Sequence, residues 1–125
     1  MTEGPYASFD VFVDAPDPQT VAGRLRTAVG GVEGPVTARH DLIVGPLWMT
    51  GVDNGPRTGD RADPYDFLRW PAVLEGGTSL RATPAEVVEA VATVLRALWG
   101  MGYRAAVRCG FEDELPDAGG RTRYR

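Results

Sequence analysis

The side chains that usually carry out chemistry are scarce in this 125-residue chain, and their scarcity bounds what it can do. There is one His, one Cys, two Ser and no Lys, all 13 basic residues being Arg. Schiff-base lysines, phosphate-loop lysines and lysine general bases are therefore excluded. So are a His/Cys metal cage and a disulfide within the chain. His40 stands in Arg39-His40-Asp41, but adjacent residues of a strand point to opposite faces, so Asp41 is badly placed to orient it. A Ser/His/Asp site would have to recruit Ser8 or Ser79 from a distance, and an ordinary strand histidine is the simpler reading. Cys109 alternates with Val107 and Phe111, as a small buried hydrophobe does, and no basic group or helix start nearby would activate it.

Carboxylates are more plentiful. Asp60, Asp63 and Asp66 recur every third residue behind Asp53-Asn54-Gly55, yet the spacing does not match a calcium loop, and turn-forming and capping roles account for the same letters. Glu112, Asp113, Glu114 and Asp117 form the densest acidic cluster. With no apolar pocket beside them to raise a carboxyl pKa, they read as an exposed ridge suited to a basic partner rather than as an acid/base pair. The Gly30-Gly31 and Gly76-Gly77 pairs lack any G-x-G-x-x-G or phosphate-loop context and read as turns. No metal, cofactor or catalytic residue is expected.

Two helices and several strands must position these groups. Tyr6 to Asp14 alternates, with Ala7, Phe9, Val11 and Val13 on one side, which predicts a strand. Asp17-Pro18 is an N-cap followed by a residue well tolerated at the first helical position, and Val21, Leu25, Ala28 and Val29 continue one face to the stop at Gly30-Gly31. A second strand is expected from about Val36 through Leu42, Ile43 and Val44, broken or bulged at Gly45-Pro46 before Leu47, Trp48 and Met49. Residues 51–64 then read as one long loop. A third strand from about Phe67 to Glu75 would put Leu68, Trp70, Ala72 and Leu74 on one face. Thr83-Pro84-Ala85-Glu86 is a capping box, and the helix after it carries a wide stripe from Val87 to Trp99 before Gly100 and Gly102. The last strand starts at Tyr103.

The order strand, helix, strand, strand, helix, strand predicts an α+β fold, a ferredoxin-like βαββαβ sandwich with a four-stranded antiparallel sheet and two helices on one face. Residues 1–116 are expected to form a single domain, with 117–125 a flexible Arg-rich tail. The open sheet face would then show Phe12, Ile43, Phe67 and Val73 among Asp10, Arg69, Arg104 and Arg108. Aromatic and Arg side chains are frequent interface anchors, so Phe12, Phe67, Arg69, Arg104 and Arg108 join Glu112, Asp113, Glu114 and Asp117 as candidate partner-binding residues. Dimerisation through that face is the plain alternative. A formal net charge of −4 and the lack of an aromatic RNP pattern argue against nucleic acid, and no apolar run is long enough for a membrane. The start of the sequence, without a basic and apolar leader, points to the cytoplasm.

Asp66-Phe67-Leu68-Arg69-Trp70-Pro71 and Phe111-Glu112-Asp113-Glu114-Leu115-Pro116, joined by the helix ending Ala97-Leu98-Trp99, resemble small uncharacterised actinobacterial single-domain proteins, some of which are similar to immunity proteins of polymorphic toxin systems. The resemblance spans most of residues 6–116 and brings no catalytic assignment. It implies a stand-alone cytoplasmic protein that binds rather than reacts: a module that neutralises a cognate toxin through its acidic surface, or alternatively a dimeric small-ligand sensor or regulatory domain.

Overall fold

The computed structural model describes residues 6–31, 41–54, 70–79 and 81–124. The elements are β1 Ser8–Val13, α1 Pro18–Val29, β2 Leu42–Val44, β3 Leu47–Asp53, β4 Ala72–Thr78, α2 Pro84–Gly100 and β5 Ala105–Cys109. Their sheet runs β2-β3-β4-β1-β5, with every neighbouring pair antiparallel. The fold is thus α+β with two helices, and the expected four strands become five. The reason is Gly45-Pro46. Val44 pairs with Leu47 across it, and Gly45 takes φ 55°, the positive φ that a two-residue hairpin turn with Gly at its first position requires. What reads as one broken strand is a hairpin.

Helix starts follow the sequence closely. Asp17 accepts the Gln19 N–H at 3.0 Å and the Thr20 hydroxyl at 2.7 Å, and these bonds hold its carboxyl below its usual pKa, the Thr20 hydroxyl contributing most. The Thr83 hydroxyl accepts the Glu86 N–H at 3.2 Å while the Glu86 carboxylate accepts the Thr83 N–H at 2.9 Å. That second bond is the first cause of the lowered Glu86 pKa. α1 ends at Gly30 with φ 68°.

Period-2 alternation sends Phe9, Val11 and Val13 into the main core, where they meet Leu42, Leu47, Met49, Leu74 and Val107 from other strands and Val21, Leu25, Val91, Leu95 and Leu98 from the helices. Both helices therefore cover one face. α1 is fixed to the β2–β3 hairpin by a polar clamp. Gln19, the only glutamine in the chain, donates from Nε2 to the Gly51 carbonyl at 2.9 Å and to Asp41 Oδ2 at 3.3 Å, and the Gly51 N–H donates to the same Asp41 oxygen at 2.7 Å. Arg26 donates to the Asp41 carbonyl at 2.9 Å.

Several expectations are corrected. Gly76 and Gly77 lie inside β4 rather than in a turn, because each is the floor under an aromatic ring from the strand beside it. A Cβ at Gly76 would come within 2.2 Å of the Phe9 ring on the core side, and one at Gly77 within 2.0 Å of the Trp48 indole on the other side. Trp70 precedes β4 and packs with Phe12, Val73 and Ala106 on the face away from the helices, so its expected place beside Ala72 and Leu74 does not hold. Residues 116–124 lie over β5 and α2, with Asp117, Ala118, Gly119 and Gly120 all at positive φ. Gly119 and Gly120 approach so closely that a Cβ would stand 2.7 Å from Val107 and 2.6 Å from the Ala105 carbonyl. The expected strand starts near Val36 and Phe67, most of the 51–64 loop, and Arg125 lie outside the described residues.

Candidate functional site

Two surfaces carry the candidate side chains: the sheet face away from the helices, and the turn that follows β5. Strand register arranges the first in rows. Ile43, Trp48, Gly77 and Ser8 stand side by side across β2, β3, β4 and β1. The next row is Thr50, Glu75, Asp10 and Arg108, and the one after it Val52, Val73, Phe12 and Ala106. Arg104 and Asp14 follow, 3.6 Å apart.

The apolar row is closed. Phe12 and Val73 are 7 % and 6 % exposed and cluster with Ala106, Val52 and Trp70. Arg104 lies over the Trp70 ring, 5.1 Å from its centre, and Asn54 grips the segment before β4 by donating its side-chain amide to the Trp70 carbonyl at 2.7 Å and its N–H to the Pro71 carbonyl at 2.8 Å. Phe12 is consequently a core residue of this face, which corrects its expected role as a displayed anchor. Trp48 takes that place, 38 % exposed and the one exposed large apolar side chain among the described residues. Gly45-Pro46 read as a break or bulge assigns no face to the residues after it. Read as a turn, it fixes Leu47 and Met49 inward and Trp48 outward.

The charged row holds an unusual pair: Glu75 stands directly opposite Asp10. Like charges at opposed positions destabilise a sheet. Asp10 is half-buried, and its pKa is raised, burial outweighing the attraction of Arg108, whose guanidinium is 3.9 Å away.

On the second surface, Glu112–Glu114 form a 3₁₀ turn between Phe111 and Leu115, both buried. Tyr6 stacks on Phe111 with ring centres 5.1 Å apart and donates its hydroxyl to Glu114 at 2.5 Å. That hydrogen bond is the main reason the Tyr6 pKa is raised. Glu112 accepts the Cys109 N–H at 3.0 Å. Asp117 pairs with Arg123 at 3.2 Å, and Arg123 lies over Trp99, 4.2 Å from the ring centre. Asp113 is exposed. The four acids thus share one edge, and three of them are held by neighbours.

No family model, curated protein or solved structure matches this chain. Its chemistry is accordingly read from its own residues. Among the described residues no three His, Cys, Asp or Glu side chains converge as a metal site would need, and no helix is long and apolar enough to cross a membrane. Cys109 is half-buried at the rim of the main core. Arg108 is on the open face opposite Asp10, as expected, whereas His40, Asp60, Asp63, Asp66, Phe67 and Arg69 lie outside the described residues. A shallow groove of about 390 Å³ between α1 and the end of α2 is lined by Gly23, Arg24, Thr27, Ala28 and Met101. Arg24 is steadied at its rim by Tyr103, donating to the hydroxyl at 2.8 Å and lying over the ring at 5.2 Å.

Proposed function

We propose that this chain is a non-catalytic protein-binding module, in its most concrete form an immunity-type protein of the cytoplasm that neutralises a cognate toxin. The observation that supports it most is the pinned acidic edge. Glu112, Glu114 and Asp117 are each held by a hydrogen bond or ion pair, so a basic partner meets carboxylates already ordered. Pre-ordering reduces the entropy lost on association, and complementary charge speeds and orients encounter. The fold we infer is ferredoxin-like in four of its five strands. The order β3-β4-β1-β5, with α1 and α2 as the two connections, supports reading these strands as a βαββαβ sandwich to which β2 adds an edge strand.

Co-expression and titration calorimetry with the product of the adjacent gene test the reading. A stable complex, rescue from toxicity, and weakening by Asp113→Arg with Glu114→Arg are expected. Neither complex nor rescue would remove it. A second reading, a dimeric small-ligand sensor, draws on the Arg24 groove. It requires a dimer in solution and a melting temperature that rises with a ligand by mass action.

A further inference from the structure

We infer that the groove between α1 and the end of α2 is a docking site for an acidic segment of a protein partner, with one of its carboxylates on Arg24 and a neighbouring apolar side chain laid over Gly23, Ala28 and Met101. This is a second contact surface, apart from the acidic turn and of opposite charge. Tyr103, which holds Arg24, precedes β5, and Glu112 follows it. Neither surface needs the other.

Arg24 is the first observation. Tyr103 positions its guanidinium twice, accepting a hydrogen bond at 2.8 Å and placing its ring 5.2 Å below. Arg104, Arg108 and Arg123 each pair with a carboxylate, whereas Arg24 has none among the described residues. A guanidinium offers several donors, and one neutral hydroxyl leaves most of them open to a carboxylate, which a planar fork takes in bidentate fashion. The side chain is already held, so less order is lost when the partner arrives.

The second observation is the charge around it. In a chain of formal net charge −4, neither stretch bordering the groove, 18–29 or 90–103, contains an Asp or Glu, while both contain Arg. An incoming carboxylate meets no like charge on either.

Gly23 is the third. Glycine is among the poorest residues for a helix interior, and a close neighbour would account for it, yet a Cβ at Gly23 would meet nothing within 4 Å. The packing of α1 does not require it. Gly23 lines the groove, where a missing side chain leaves the helix backbone open to close approach by another chain. Departures from local consistency that the fold does not need gather where a surface is used.

Shape favours a chain over a small molecule. Arg24, Thr27 and Ala28 are exposed, and the groove of about 390 Å³ is shallow, whereas small-molecule sites enclose most of their ligand.

The whole chain, isotopically labelled, is titrated with an acetylated hexapeptide amide of alternating glutamate and leucine, and with its glutamine–leucine counterpart as control. Expected with the glutamate peptide are NMR shifts at the Gly23, Thr27 and Ala28 amides, the Arg24 Nε–H and the Met101 methyl, fading as salt is raised. Arg24→Gln should bind about fivefold more weakly, the worth of one part-exposed ion pair. Gly23→Leu should fill the groove and bind at least about tenfold more weakly. It should melt no lower than the parent, since leucine is a good helix former and nothing stands where its side chain begins. Blocked binding in a variant no less stable separates loss of the site from loss of fold. Equal binding of the glutamine peptide, unchanged affinity of Arg24→Gln or Gly23→Leu, or shifts elsewhere or none would each overturn the proposal. So would butyrate or inorganic phosphate binding as tightly as the hexapeptide, which hands the groove to the small-ligand reading. Self-association that the hexapeptide reverses would overturn it too, the occupant then being a second copy. A toxin complex that Asp113→Arg with Glu114→Arg weakens leaves the immunity-type reading standing when the groove fails. A positive hexapeptide result beside failure with the adjacent gene product does the reverse.

Discussion

Gly76 and Gly23 should respond with opposite sign to the same added methyl group. At Gly76 an alanine Cβ would fall 2.2, 2.5 and 2.7 Å from three atoms of the Phe9 ring, and Phe9 is 2 % exposed in the main core. Its ring must retreat by about 1 Å or more in a close-packed interior, an overpacking cost of about 1–3 kcal/mol. Reduced backbone freedom in the unfolded chain favours Ala by about 0.5–1 kcal/mol, so the clash wins and the net loss is about 0.5–2 kcal/mol. With an unfolding entropy of about 2.1 cal/mol/K per residue, each kcal/mol corresponds to roughly 4 °C in Tm for a chain this long. Gly76→Ala should therefore melt about 2–8 °C lower. Gly23 sits in α1 with nothing within 4 Å of an added Cβ, and Gly23→Ala should melt about 2–4 °C higher through helix propensity alone. Thermal and urea unfolding of both variants, and of Gly76→Ala combined with Phe9→Leu, measure this. The smaller side chain should recover part of the loss, with a coupling of about 1 kcal/mol. A Gly76→Ala melting point within about 1 °C of the parent, or strict additivity in the double variant, refutes the reasoning.

Three other outcomes follow from particular contacts. Burial holds the Asp10 carboxyl above its usual 3.8 despite Arg108, so the ionised form costs stability, a cost absent below about pH 3.8 and growing as pH rises through the raised value. Asp10→Asn should accordingly be more stable than the parent in urea at pH 7 and no more stable near pH 3; an equal gain at both counts against burial as the cause. Asp41→Ala leaves the part-buried Gly51 N–H without its 2.7 Å acceptor and should cost about 1–2 kcal/mol, with partial recovery in Asp41→Asn; urea midpoints that do not move would show the clamp to be idle. Arg123→Ala removes the guanidinium from Trp99 and from Asp117 and should lose about 0.5–1 kcal/mol while Trp99 emission shifts to the red; an unshifted spectrum rejects that contact.

What could be read from sequence was what is decided within a few residues. Asp17-Pro18, Gly30 and the Thr83–Glu86 box are settled by hydrogen bonds spanning two to four positions, and the core side of β1 and β5 follows from alternation alone. Gly76-Gly77 reads locally as a turn, whereas its place inside β4 is dictated by the rings across from it, Phe9 and Trp48, and such pairing depends on register. The C-terminal path depends on contacts as distant in sequence: Gly119 is closed in by the Val107 side chain and Gly120 by the Ala105 carbonyl. Among the site residues, the acidic turn was visible as a composition, but its bonds to Tyr6, Cys109 and Arg123 were not. Trp48 and Glu75 carried no local signal as a pair, since only the β3–β4 register places them together.

The Asp10–Glu75 opposition is the feature that the fold itself least requires. Register between β1 and β4 is determined on the core side, where Val11 meets Leu74 and Phe9 covers Gly76. Positions 10 and 75 face the other way, and a Thr or an Arg at either would pair better than a second carboxylate. A sequence that departs from local consistency at two adjoining surface positions tends to do so where the surface is used. The acids at 112–117 differ, because each of Glu112, Glu114 and Asp117 has a neighbour that its loss would strand. Substitution at the two surfaces should thus part company. Glu75→Gln should raise stability slightly, whereas Glu112→Gln or Glu114→Gln should lower it.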